Sequence, residues 1–209
     1  MASLYDLKPK FQNLLRPITR ALAGAGVTAN QVTVTALVLS AVNGALVASF
    51  PTERWPLLLL GPWLLVRMAL NAIDGMLARE HGQKSSLGAV LNEIGDVAAD
   101  SALYLPLALV PGFEPVLVVA AVLLAVFTEM TGVVCVQIGA SRRYDGPFGK
   151  SDRAFVFGAL GLLFGFGVPG GLWVSAVLGG MILLLALTIF HRARKGLAEL
   201  RNSSKIPSA

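Results

Sequence analysis

The sequence predicts an all-α polytopic membrane protein, six transmembrane helices preceded by an N-terminal interfacial amphipathic helix. Three observations lead there. Charged residues make up 14% of the 209 and hydrophobic residues 55%, whereas a soluble domain of this size carries about 25% charged residues. Apolar stretches of roughly 20 residues recur along the chain, each able to cross a ~30 Å hydrocarbon core as a helix. Finally, 15 of the 17 Lys and Arg residues fall at the two ends and in alternate connections, as retention of basic loops on the cytoplasmic side requires.

The first 26 residues contain no apolar core followed by a cleavage site, so no cleavable signal peptide is expected. Leu4, Leu7, Phe11, Leu14, Leu15, Ile18 and Leu22 recur at helical spacing, with Lys8, Lys10, Arg16 and Arg20 mostly elsewhere on the wheel. That pattern predicts a helix lying in the cytoplasmic interface over 1–26, kinked or interrupted near Pro9 and Pro17. The spans follow at about 31–50, 55–78, 87–110, 116–140, 152–168 and 172–190, the fifth being short. PTERW, PGFEP and GVPGG punctuate the joints, since Pro and Gly end helices and supply turn geometry. One membrane domain, 27–195, takes most of the chain, and 196–209 reads as a polar cytoplasmic tail.

Basic residues precede the first span, separate the second from the third and the fourth from the fifth, and follow the sixth. Both termini are therefore expected in the cytoplasm. The net charge of +5 needs no nucleic acid, because juxtamembrane Lys and Arg are drawn to anionic membrane lipids. The single Cys135 allows no internal disulfide and reads as a core thiol. No inverted repeat of the transporter type is visible.

Polar residues concentrate in the second and third spans. Ionisable groups inside membrane helices are costly unless they face water, ions or partners, so each is a functional candidate. Asn71, Asp74 and Ala78 share one stripe of the second span, and Asn92, Asp96 and Asp100 form an i, i+4, i+8 stripe of the third. The short connection at 81–86 predicts that the two helices are neighbours and that their stripes converge. Carboxylates and amide oxygens, without Cys or His, suit Mg²⁺ or Mn²⁺ rather than zinc. Gly75 and Gly88 leave room for a ligand to approach backbone, Ala78 keeps the wall low, and Arg79 offers a cation where a phosphate would lie.

These residues are similar to a known signature. Asn71-x-x-Asp74-Gly75-x-x-Ala78-Arg79, eight residues, then Gly88-x-x-x-Asn92-x-x-x-Asp96 resembles the CDP-alcohol phosphotransferase (CDP-alcohol phosphatidyltransferase) motif D-x2-D-G-x2-A-R-x8-G-x3-D-x3-D over 26 residues, with every spacing kept. Thr28-Ala29-Asn30-x-x-Thr33 is similar to the family's T-P-N-x-x-T, with Ala29 in place of proline. Asn71 and Asn92 depart from the motif, each removing a negative charge. Asp100, on the same face as Asp96, is the expected replacement, and Glu93 is the other candidate, rotated by about 100°.

The resemblance implies transfer of a phosphatidyl group from a CDP-linked lipid, commonly CDP-diacylglycerol, to an alcohol with release of CMP, and often a homodimer. It implies a metal site of Asn71, Asp74, Asn92, Asp96 and Asp100, with Asp96 or Asp100 as base. Gly75, Ala78, Arg79 and Gly88, with Thr28, Asn30 and Thr33, would shape the cytidine-phosphate pocket. Arg142, Arg143, Lys150 and Arg153 either hold a phosphorylated acceptor or are simply retained on the positive side, and Asp152 either pairs with Arg153 or caps the fifth helix. Arg67 either enters the polar cavity or pairs with Asp100, and Glu129 is read as a structural group. Rival readings are a catalytically impaired membrane scaffold and a small transporter; a transporter would spread its acidic groups through the bilayer depth, whereas here they gather near one face.

Overall fold

The computed structural model describes residues 4–203, with side chains over 11–202. The expected side-chain placements of Leu4, Leu7, Lys8 and Lys10, and residues 204–209 of the tail, lie outside the described residues. The described residues form seven α-helices and one 3₁₀ turn, with no strand among them: α1 Leu4–Gly24, α2 Ala29–Ser49, α3 Trp55–Glu80, α4 Ser86–Tyr104, the 3₁₀ turn Leu105–Leu109, α5 Pro115–Gln137, α6 Lys150–Gly165 and α7 Leu172–Ser203. Four of them, α2, α3, α5 and α7, are long and apolar enough to cross a membrane. The other two expected spans are helical but depart from that pattern. α4 carries Glu93, Asp96 and Asp100, and α6 has only 16 residues, about 24 Å of helix.

Local chemistry sets the boundaries. Thr28 accepts a hydrogen bond from the Gln31 N–H while Gln31 accepts one from the Thr28 N–H at 2.8 Å, a capping box that starts α2. Ser85 Oγ accepts from the Gly88 N–H and starts α4. Pro106, lacking an N–H, ends the α-helical pattern there and the chain tightens into the 3₁₀ turn. Asp152 accepts from the Gly149 N–H at 2.7 Å and caps α6.

The helix α1 is one element through Pro9 and Pro17, so the expected interruption does not occur. Its apolar residues divide between two surroundings. Leu15 is buried against Met76 and Leu77 of α3, while Leu14 and Ile18 are exposed. Arg16 reaches across to Glu80 at the end of α3.

Around α2, two neighbours close in: α3 on one side and α4 on the other. A Cβ at Gly44 would collide with the Ala102 carbonyl oxygen, so glycine permits the α2–α4 approach. On the far side of α3 lies α6, where a Cβ at Gly158 would stand 3.6 Å from the Gly61 Cα. α5 pairs with α7. The apolar core joins α3, α5, α6, α7 and the 3₁₀ turn through residues such as Leu60, Leu107, Val118, Phe157 and Leu178, all essentially without exposure. Outward-facing Leu65, Val66, Leu123, Phe127 and Leu183 stay exposed, as lipid-facing side chains do.

The expectation that α3 and α4 are close neighbours needs correction. They do not pack extensively on one another; each lies against α2, and long polar side chains reach across the space between them. The tail expectation also shifts, because α7 remains helical to Ser203 and Glu199 bonds back to Ser141 and Arg143.

Candidate active site

Two clefts meet where α3 and α4 diverge. One, of about 710 Å³, is lined by Asn30, Thr33, Asp74, Gly75, Ala78, Arg79, Gly88 and Asn92 together with Gln83 and Lys84. The other, of about 290 Å³, is lined by Asn92, Asp96, Glu93, Glu129, Arg142 and Lys150 among others. Asn92 belongs to both, so the α4 stripe forms the wall they share.

At this junction the polar atoms are tightly engaged. Asp74 accepts a hydrogen bond from Thr33 Oγ1 at 2.8 Å, tying α3 to α2. Asn71 Nδ2 donates to Asp96 Oδ1 at 3.2 Å, and Lys150 Nζ, from the first turn of α6, pairs with the same oxygen at 2.5 Å. Donation by its nitrogen leaves the Asn71 carbonyl oxygen available as an acceptor or ligand. Asp74 is buried, Asp96 is partly buried and Asn92 is exposed. Asp74 thus faces the larger cleft, Asp96 the smaller and Asn92 both, while Asn71 lines neither and stands behind Asp96 as its hydrogen-bond donor.

Asp100 is placed differently. One of its oxygens pairs with Arg67 Nη1 and the other with Arg153 Nη2 at 3.1 Å, and its side chain is 8% exposed. With both oxygens held by guanidinium groups, the carboxylate is an internal counter-ion. The expectation that it restores a missing ligand or serves as the base is corrected on that ground. Glu93, the other candidate, is held in a two-point pair by Arg142 at 2.8 and 2.9 Å.

Beneath the second cleft a buried ionic node ties five helices together. Arg67 of α3 and Arg153 of α6 meet Asp100 of α4; Arg153 continues to Thr128 Oγ1 and Glu129 of α5, both at 3.1 Å. Glu129 also receives Arg142 at 3.1 Å and Arg192 of α7 at 3.3 Å. Arg67 is therefore the partner of Asp100 and the Asp96 backbone carbonyl and does not line either cleft. Arg153 likewise lies behind the cleft surface, 1% exposed.

Of the five basic residues considered for an acceptor, Arg67, Arg142, Arg143, Lys150 and Arg153, only Arg142 and Lys150 line the second cleft. Arg143 turns away to Asp145, Ser141 and Glu199. Arg142 lies in the loop between α5 and α6, where burial works against its charge but Glu93 and then Glu129 outweigh that and hold its pKa above the ordinary guanidinium value. In the same loop, partial burial opposes the charge of Asp145, yet hydrogen bonds from Lys195 and Arg143 bring its carboxyl below the usual range.

Two contributors escaped the sequence reading, Gln83 and Arg192, and one expected pocket residue, Thr28, is placed otherwise. Gln83 bonds the Ala29 N–H at 2.7 Å and the Val27 carbonyl at 3.3 Å, fixing the start of α2 at the rim of the larger cleft. Arg192 passes as one more basic residue after a span, although it is buried against Glu129 and the Thr128 and Asp145 carbonyls. Thr28 caps α2 and does not line the larger cleft.

Comparison with known proteins places this bundle among the integral membrane transferases of phospholipid biosynthesis. The chain belongs to the CDP-alcohol phosphatidyltransferase family, whose sequence profile matches residues 26–193. Its relatives include the inner membrane protein YnbA of Escherichia coli, 43% identical over 192 residues that cover 92% of this chain and 95% of the relative. Another is the phosphatidylinositol phosphate synthase of Mycobacteroides abscessus, 30% identical over 177 residues, or 80% and 79% of the two chains. In fold, the chain superposes on the Mycobacterium tuberculosis phosphatidylinositol phosphate synthase in complex with manganese and citrate, with TM-score 0.72, 18% identity and coverage of 87% and 88%. The same enzyme with CDP-DAG bound matches with TM-score 0.66, 19% identity and coverage of 92% and 94%.

Proposed function

We propose that the chain transfers the phosphatidyl group of a CDP-linked lipid, CDP-diacylglycerol in the first instance, to an alcohol with release of CMP. The observation that carries this is a pair of adjoining clefts that share Asn92, with Asp74 on the larger and Asp96, bonded by Asn71, on the smaller, one of a size for a nucleotide diphosphate and the other for a small alcohol. The likeness to a synthase with CDP-DAG bound supports the donor. Asp74, Gly75, Ala78, Arg79, Gly88, Asn30 and Thr33 would line the donor side. In the reaction the acceptor oxygen bonds to the phosphatidyl phosphorus, the bond from that phosphorus to CMP breaks, and the hydroxyl proton passes to Asp96.

Among the described residues no group of three or more His, Cys, Asp or Glu side chains is placed to share an ion. What the junction offers is two carboxylates and two amide oxygens, a hard-oxygen set that fits Mg²⁺ or Mn²⁺ with less charge than four aspartates would supply. Asn71, Asp74, Asn92 and Asp96 are the residues that would hold it. When bound, such a cation neutralises charge on the diphosphate and on the departing CMP. Lys150, already on Asp96, brings a positive group of the chain's own to the same place. The manganese complex of the M. tuberculosis synthase supports this choice of ion.

In the membrane we place α2 to α7 as six spans, the catalytic unit covering 27–195, with α1 in the cytoplasmic interface and both termini and the cleft junction on the cytoplasmic side. Exposed Leu14 and Ile18 on α1 supply the lipid-facing side of such a helix. The test is CMP release from CDP-diacylglycerol with Mg²⁺ or Mn²⁺ and a panel of alcohols. Release by the wild type and its loss in Asp74→Ala is the expected result; no release with any acceptor would overturn the proposal.

A further inference from the structure

The smaller cleft carries more negative than positive groups. Its lining holds Glu93, Asp96, Glu129 and Asp152 against Arg142, Lys150 and Arg192. A pocket built for a phosphate monoester needs guanidinium or ammonium groups whose donors point into it unclaimed. Here the guanidinium donors that face the cleft are largely engaged. Arg142 gives Nε and Nη2 to the two Glu93 oxygens and Nη1 to the Arg143 carbonyl at 2.7 Å. Arg192 gives Nε and Nη1 to Glu129 and two backbone carbonyls, and Lys150 meets Asp96 with its ammonium. A phosphate entering this cleft would have to displace Glu93 or Glu129 and leave that carboxylate unpaired beside a second anion.

We propose that the acceptor is an alcohol without a phosphate group, a polyol or amino alcohol whose remaining polar groups are hydrogen-bond donors. Such a molecule needs no cation to be freed. The cleft carboxylates accept its hydroxyl or ammonium hydrogens, and Ser151 and Tyr144 at the cleft wall add hydroxyl groups that donate or accept. The inference rests on the phosphatidyltransferase reading above. It parts from a phosphorylated acceptor, which the name of the M. abscessus relative would suggest.

The experiment uses the full chain purified in detergent–lipid micelles, with CDP-diacylglycerol and Mn²⁺. CMP release is measured with glycerol, myo-inositol, ethanolamine and serine, and in parallel with glycerol 3-phosphate and myo-inositol 1-phosphate. We expect kcat/KM for at least one unphosphorylated acceptor to exceed that for either phosphorylated one by about 100-fold or more. Turnover confined to the phosphorylated pair overturns the inference and leaves the phosphatidyltransferase reading standing, whereas silence with every acceptor overturns both. Glu93→Gln, at a side chain one-third exposed, frees the Arg142 fork with little risk to folding. It is expected to shift the preference at least ~10-fold toward the phosphorylated acceptor. Glu129→Gln should shift it further where the protein still folds. A Glu93→Gln protein that melts like the wild type and keeps the same preference ratio would overturn the charge-balance argument.

Discussion

Replacing Asp100 by Asn separates a counter-ion from a catalytic group. Its two oxygens serve two different arginines, Arg67 and Arg153, whose side chains are 3% and 1% exposed. The amide keeps one acceptor oxygen and turns a nitrogen, with its hydrogens, toward the other guanidinium. One buried arginine then loses its contact at position 100, keeping only its bonds elsewhere, and both lose that compensating charge. Breaking a buried pair from one side costs about 3–5 kcal/mol. At 2–4 °C per kcal/mol for a chain of this size, that is a fall in Tm of about 6–20 °C. The assay is thermal unfolding in detergent, run beside CMP release at a temperature well below both midpoints. We expect a large fall in Tm with residual turnover in the fraction that remains folded, and partial recovery in Asp100→Glu. A variant that melts within ~1 kcal/mol of the wild type yet releases no CMP would refute the reasoning and return Asp100 to the chemistry.

Further outcomes are expected elsewhere in the molecule. Asp96→Ala should lower CMP release at least ~100-fold, because it removes the proposed proton acceptor, while expression and Tm change little; steady-state kinetics would show it. Restoring aspartate at both Asn71 and Asn92 should preserve or raise turnover at low Mg²⁺, read as a lower half-saturating Mg²⁺ concentration; collapse of activity would assign the amides a role of their own. Asp145 is depressed in the folded state, so its contribution is present above the unfolded carboxylate value of ~3.9 and is lost as the pH falls through the lower folded value. The protection factor of amides in the α5–α6 loop, with the intrinsic pH dependence of exchange divided out, should therefore hold steady from pH 7 to about 4 and fall below it, and Asp145→Asn should remove that dependence. Gly44→Leu should force α2 away from α4 at Ala102 and lower Tm by several degrees, as overpacking at a tight contact costs ~1–3 kcal/mol.

The helices were legible because hydrophobic runs and prolines are local signals. The caps that start α2 and α4, Thr28 with Gln31 and Ser85, went unread in the sequence and come from the structure. Helix proximity was less legible. A short connection at 81–86 suggested that α3 and α4 pack together, but so short a link fixes only one end of the pair, and Gly44 lets α4 lie against α2 instead. Helical spacing put Asn71 with Asp74 on one stripe and Asn92 with Asp96 on another, and the bond from Asn71 to Asp96 joins the two stripes. The role of Asp100 did not, since the i+4 rule places it on the right face without showing that Arg153, 53 positions later, arrives to claim it. Glu129 and Arg192 are similarly matched across 63 residues of sequence, beyond the reach of any local pattern.

The ionic node also constrains how the chain comes into being. Arg67, Asp100 and Glu129 leave the ribosome well before Arg153 and Arg192, so helices α2 to α5 emerge with Asp100 and Glu129 lacking part of their positive complement. Until the last two helices arrive, the half-built bundle has reason to remain beside the insertion machinery or to hold its acids protonated. Closure of the C-terminal helices around Glu129 would then be the late, cooperative event of biogenesis. A chain cut short before α6 should be retained and degraded, not survive as a smaller stable bundle.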